Sequence, residues 1–300
     1  MADLLRRVLT RLAVALALLL PGAAAAGEIP FGQGLLFEVE REGRPPNYLF
    51  GTMHVADLDV LDLPEPVAEA FRSSRRLAVE VIWNGTVDDH MQRAMRLPEG
   101  QTLEEIAGPE LFEQAMRVLS RYRVKREEAQ ELRPWYVGFM FGSDEVQSDG
   151  ARQGHRFLDD WLRNEAGMDG KLVFGLETAA EHFAPFDRLT DEQELEFMRS
   201  ALYDRRDPKS YVRMKAQYLA GDVAAIYADF ESQGLAEMQG TMREFRQYLL
   251  DDRNHGMVAR ALPLLEKGGT FVAVGALHLP GEEGMLRLLQ LRGYRITRIY

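Results

Sequence analysis

The chain has 300 residues, with 47 Asp and Glu against 36 Lys and Arg and a formal net charge of −11. That balance argues against a nucleic-acid partner, because such affinity comes largely from cations that neutralise phosphates. No cysteine is present, which excludes a cysteine nucleophile, a thiolate zinc site and stabilisation by disulfides. Any metal would be held by His, Asp or Glu.

In chain order, residues 1–26 read as a secretory signal. Arg6, Arg7 and Arg11 form a basic region, Leu12 to Leu20 an apolar run, and Ala23 to Ala26 a small-residue cleavage zone. The apolar run is well short of the roughly 20 residues that span a bilayer. The expectation is therefore a periplasmic or secreted protein with no stable membrane insertion after cleavage. Residues 27–300 are expected to form one domain.

Leu35 to Glu40 and Tyr48 to Phe50 are strand candidates, joined by the Gly- and Pro-containing stretch Arg41–Asn47. An antiparallel hairpin is the natural arrangement. The second strand runs into Gly51-Thr-Met-His54. Pro64 to Arg76 fits a helix, and Leu77 to Trp83 is apolar at every position except Glu80, so it reads as a buried strand with one carboxylate.

From Thr102 to about Lys267 the pattern is mainly helical. Thr102 with Glu105, and Thr190 with Gln193, have capping-box spacing. The basic stretch Arg121, Arg123, Lys125 and Arg126 is followed by Glu127, Glu128 and Glu131, and reads as a solvated, mixed-charge helix face. Lys171 to Glu177 interrupts the helices as a third buried strand. The chain closes with a strand at Thr270 to Ala276, a helix at Met285 to Leu291 and a strand at Tyr294 to Tyr300. The predicted fold is an α/β domain with a mixed sheet and a large helical insertion over about 102–267.

Four strand candidates finish near a titratable residue: His54, Glu80, Glu177 and His278. The last belongs to a second strand-ending motif, Gly275-Ala-Leu-His278. In open α/β sheets ligands collect beyond the carboxyl ends of the strands, which predicts one shared pocket. Two imidazoles and a carboxylate suit a divalent first-row metal, with a second carboxylate available as general base, and hydrolysis of an amide or ester follows as the reaction class. The plainer alternative is that these groups are hydrogen-bonded polar caps on strand ends. Arg253 lies between Leu249 and Met257 at one-turn spacing, which points it inward toward an acid or a substrate carboxylate; a solvated helix face is the alternative. His90, His155, His182 and His255 have no strand setting and read as surface or packing residues.

At these residues the chain resembles the TraB/GumN family, which includes the TIKI proteins. The matching stretches are Leu49-Phe-Gly-Thr-Met-His-Val55, Ala78-Val-Glu80, Gly175-Leu-Glu-Thr178, Arg253-Asn254 and Val272 to Gly281 running on to Leu291-Arg-Gly-Tyr294. The resemblance implies an α/β fold akin to erythromycin esterase and ChaN-like proteins. It also implies metal-dependent peptidase activity through His54, His278 and Glu80, on a peptide or small-molecule substrate, with Mn, Co or Zn as the ion. Two positions depart from the family: Ile82 replaces an acid on the second strand, and Phe157-Leu-Asp159 keeps an acid but loses a glycine. A two-metal scheme thereby lacks one strand acid. The ChaN-like likeness leaves a second reading, a non-catalytic periplasmic protein that binds a metal, haem or a small ligand.

Overall fold

The computed structural model describes residues 29–82, 85–142, 154, 156–204, 209–232 and 244–300. The expected signal segment lies outside them, as does His155. The strands are β1 (Leu36–Glu40), β2 (Asn47–Thr52), β3 (Arg76–Val79), β4 (Leu172–Gly175), β5 (Thr270–Gly275) and β6 (Arg295–Arg298). The helices, in chain order, are α1 (Leu58–Leu61), α2 (Glu65–Ser73), α3 (Gly85–Ala94), α4 (Leu103–Ala107), α5 (Pro109–Leu119), α6 (Arg126–Gln130), α7 (Pro134–Gly142), α8 (Leu158–Met168), α9 (Ala179–Asp187), α10 (Asp191–Asp204), α11 (Ser210–Leu219), α12 (Val223–Ser232), α13 (Asp252–Leu265) and α14 (Met285–Leu291).

All six strands form one mixed sheet in the order β4-β3-β5-β2-β1-β6. β1 pairs antiparallel with β2, as the Gly- and Pro-containing connection predicts, and with β6. β2, β5, β3 and β4 run parallel. Parallel strands are covered on both faces, and alternate side chains supply the two cores. Phe50, Leu77 and Phe271 face α2, α8, α11 and α12, whereas Leu49, Ala78 and Val272 face α13 and α14. Each large apolar side chain removed from water contributes about 1.5–3 kcal/mol, so the two clusters fix which way every strand residue points.

The expected third buried strand takes a different place. β4 is the edge of the sheet, and Leu172 is 60% exposed. Its Leu-Val-Phe composition suits a central strand, but only β3 pairs with it. The basic stretch also differs from expectation. A short 3-10 turn at Ser120–Tyr122 and a left-handed Arg123, φ 63°, break the helix before α6 begins. Arg126 then bridges Glu113 and Glu104.

Outside the sheet layers the helices build two further cores. One gathers Trp135, Phe183, Phe186 and Phe245, the other Leu103, Phe112, Leu119 and Met198. α7 and α10 approach so closely that a Cβ on Gly138 would lie 2.8 Å from Phe197 and 3.1 Å from the Met198 backbone. Both predicted capping boxes form: Thr102 with Glu105, and Thr190 with Gln193. Among the described residues, no helix is long and apolar enough to cross a membrane.

Candidate metal centre at the strand ends

The parallel register brings four strand ends to one level. Thr52 pairs with Gly275, and Val79 lies between Ala273 and Gly175. His54 follows β2 by two residues, Glu80 follows β3 directly, Glu177 follows β4 by two, and His278 closes the 3-10 turn Ala276–His278 after β5. Close approach favours glycine at both positions, most strongly at Gly51. A Cβ on Gly51 would lie 2.6 Å from Leu279 and 3.0 Å from the Ala276 backbone, so the two Gly-x-x-His segments pack directly on each other. A Cβ on Gly275 would lie 3.3 Å from a Glu80 oxygen.

Glu80 is held at both oxygens. Oε1 accepts from the Gly275 N–H at 2.7 Å, and Oε2 from Arg253 Nη2 at 2.6 Å. Burial favours the neutral acid, yet His278, Arg253 and the Gly275 N–H hold its carboxyl well below the usual carboxylate range. Arg253 also grips Glu177, with Nε 3.0 and 3.1 Å from its two oxygens and Nη2 2.7 Å from Oε2. Burial opposes the Glu177 charge too, and His182 and Arg253 outweigh it, so its pKa is lowered. For the arginine, burial favours loss of the proton, but the Glu80 and Glu177 charges raise its pKa. The inward direction read from the Leu249–Met257 spacing is thus the one α13 adopts.

The two histidines differ. His278 has a side chain only 5% exposed, with Nδ1 2.7 Å from Asn254 Oδ1 and Nε2 3.7 Å from Glu80 Oε1. Burial outweighs the pull of Glu80 and pushes its pKa down to about 4. The His54 side chain is 53% exposed, stacks on Phe157 at 4.6 Å, and places Nδ1 3.1 Å from Asp159 Oδ2. Burial opposes the charge, but the hydrogen bond that Asp159 accepts and the charges of Asp159 and Glu80 raise its pKa. Thr52 Oγ1 donates to the other Asp159 oxygen at 2.7 Å.

Whether these donors fit a metal rests on Glu80 and His278. Their facing atoms, 3.7 Å apart, are beyond hydrogen-bonding distance. They are close enough for both to lie about 2.1 Å from one divalent ion. Among the described residues a second donor group, Glu80, Glu177 and His182, has one ligand atom from each within 4.8 Å of the others. There the Arg253 guanidinium already lies between them, with Nη2 3.1 Å from His182 Nδ1. The facing atoms of Glu80 and His278 hold no such side-chain cation between them, although among the described residues no group of three donors that includes His54 closes within 4.8 Å.

His182 is the participant that its sequence setting hides. Thr178 and Glu181 form a capping box that opens α9 directly after Glu177, and this raises His182 one turn above the strand end. The spacing of Thr178 and Glu181 was the available signal. A cavity of about 180 Å³ lies behind the network, lined by Glu177, Glu181, Arg188, Asp252, Arg253 and Arg260. Its other charges pair among themselves, Arg188 with Asp252 at 3.1 Å and Arg260 with Glu181. His255 pairs with Glu283 at an exposed position.

A mixed α/β sheet whose parallel strands end in two imidazoles and two carboxylates defines an α/β protein with a donor set fit for a metal. Residues 35–298 match the profile of the TraB/PrgY/gumN family, and the chain belongs to that family. Its relatives include Metalloprotease TIKI2 of Xenopus tropicalis, 24% identical over 84% of this chain and 57% of that protein. Metalloprotease TIKI1 of Danio rerio is 24% identical over 87% of this chain and 62% of its own length. A Metalloprotease TIKI homolog of Amphimedon queenslandica is 23% identical, with 86% and 60% covered. The chain thus spans about three fifths of the length of these relatives. No solved structure matches it.

Proposed function

We propose that this protein is an exported, metal-dependent hydrolase, peptidase-like in its chemistry, with His54, Glu80 and His278 holding one divalent ion. The observation that carries the reading is the 3.7 Å separation of His278 Nε2 and Glu80 Oε1. Imidazole and carboxylate donors without thiolate suit Mn, Co or Zn. When bound, such an ion supplies Lewis acidity, polarising a scissile carbonyl and activating water. Glu80 supplies the anionic ligand, its charge kept by Arg253 and its Oε1 steered by the Gly275 N–H. His278, neutral through burial, offers a nitrogen lone pair at physiological pH. Arg253 and Glu177 line the adjoining cavity and form the side toward a peptide or small-molecule substrate. The basic-then-apolar run over residues 1–26 supports export to the periplasm.

The relatives named metalloproteases support peptide hydrolysis. One observation favours the alternative, a non-catalytic binder of a metal, haem or a small ligand. Both Glu80 and Glu177 are paired with Arg253, so neither is a ready general base.

Turnover of a mixed peptide library separates the two. A hydrolase loses activity with chelator, regains it with Mn²⁺, Co²⁺ or Zn²⁺, and loses it in folded His54→Ala and Glu80→Ala variants. Metal binding without turnover under any of these ions would establish the binder. Cell fractionation tests the location, and recovery in the cytoplasm would end the export proposal.

A further inference from the structure

Each strand-end imidazole has one ring nitrogen held by a partner from a distant helix, and the partner's chemistry dictates where the proton sits. At His278 the partner is the Asn254 side chain, at the start of α13. Its Nδ2 donates to the Glu283 carbonyl at 2.8 Å. A carbonyl only accepts, so the NH₂ end is fixed there and Oδ1 is the end facing His278 Nδ1 at 2.7 Å. An amide oxygen also only accepts, so His278 Nδ1 carries the hydrogen.

At His54 the partner is Asp159, in the first turn of α8. Thr52 Oγ1 donates to its Oδ1, and Oδ2 lies 3.1 Å from His54 Nδ1. An ionised carboxylate accepts only, so this Nδ1 carries the hydrogen as well. The two partners are unlike, one a neutral amide and the other an acid, and they come from helices about 95 residues apart in sequence. They impose the same answer.

We propose that Asp159 and Asn254 are positioning residues that fix both strand-end imidazoles as Nδ1–H tautomers, leaving Nε2 as the lone-pair nitrogen on each. Thr52 and the Glu283 carbonyl anchor the anchors. At His278 the consequence is that Nε2 and Glu80 Oε1 face each other as two acceptors with no hydrogen between them, an arrangement that a cation relieves. The purpose of the device rests on the metal-centre reading, but its existence does not. Partners of this kind commonly raise metal affinity 10–100-fold by orienting the ligand ring.

The test uses the full chain after chelation, with long-range ¹H–¹⁵N spectra of the imidazoles recorded over a pH series carried above about 8, where histidine is ordinarily neutral, until the shifts of both rings stop changing. Wild type is expected to give the Nδ1–H pattern at both His54 and His278. Asp159→Leu should shift His54 toward the Nε2–H form and leave His278 unchanged, and Asn254→Leu should do the converse. Zn²⁺ titration calorimetry on the same proteins should show affinity reduced about 10–100-fold in each variant. An Nε2–H pattern at either ring of wild type overturns the proposal, and that spectrum is decisive even if a variant does not fold. Folded variants whose tautomers stay as in wild type also overturn it. If the tautomers shift as expected but wild type binds no Zn²⁺ or other divalent ion, the positioning role stands and the metal-centre reading falls.

Discussion

The two Gly-x-x-His ends look alike in sequence and sit side by side in the sheet, yet their histidines inhabit opposite surroundings. His278 is 5% exposed, neutral through burial and bonded to an amide; His54 is 53% exposed, bonded to a carboxylate and stacked on Phe157. The difference follows from position. β5 is the centre of the parallel part of the sheet, with β3 on one side and β2 on the other, whereas His54 leaves β2 toward the open side above α8. A repeated motif fixes where an imidazole leaves the sheet, but the neighbours decide what that imidazole is.

The largest expected effect sharpens this contrast by removing the cation that serves the buried end. Arg253→Ala removes the guanidinium that Glu80 and Glu177 share, leaving them only the Gly275 N–H and His182, and loss of one member of a buried ion pair costs about 3–5 kcal/mol. Urea denaturation should show that loss. A change below about 1 kcal/mol would mean that the network does not stabilise the fold.

Next in size is the contact between the ends. Gly51→Val drives a side chain into Leu279 and the Ala276 backbone, and overpacking of this kind costs about 1–3 kcal/mol. Thermal unfolding should report a lower Tm. An unchanged Tm would show that the two segments yield independently.

Alanine at each histidine compares the ends directly. His278→Ala strands the buried Asn254 oxygen and should cost about 1–3 kcal/mol. His54→Ala removes a half-exposed pair and should cost no more than about 1 kcal/mol. Equal losses in urea would erase the distinction between a buried and an open end.

The smallest effects are in pH dependence, measured on chelated protein, and they should have opposite signs. The His278 pKa is depressed from 6.5 to about 4, so its contribution is complete above pH 6.5 and is lost as pH falls toward 4. The His54 pKa is raised above 6.5, so its contribution is complete below 6.5 and is lost as pH rises through the folded-state value. Stability–pH curves of His54→Gln and His278→Gln should each flatten one limb only. If both variants flatten the same limb, the assignment of charge to the two rings is wrong.

Much of the frame was legible because apolar runs bounded by Gly, Pro and His mark strands whatever their neighbours. β2, β3 and β5 lie within a few residues of their predicted spans, and Glu80 ends its strand beside the second motif. Strand order was not legible. Leu172, Val173 and Phe174 read as buried because composition does not say how many partners a strand has, and one-sided pairing left Leu172 exposed and Val173 and Phe174 only partly buried. Around the site, residues on strand ends could be read from their own local pattern. Asp159, Asn254 and His182 stand on helices, and their parts depend on contacts across about 24 to 105 residues of chain. Asp159 and Asn254 entered the sequence reading only through resemblance, and His182 read as a surface or packing residue.

The pairing of β2 with β5 joins residues 48–52 to residues 271–275. Contacts this distant in sequence are slow to form because a long loop must close first. The early strand therefore has no parallel neighbour until almost the whole chain has emerged, and a chain cut short before β5 has neither His278 nor the N–H that steers Glu80. Assembly of the centre is in effect a completeness check: a nascent, truncated or partly folded copy has no means of bringing these strand-end side chains together.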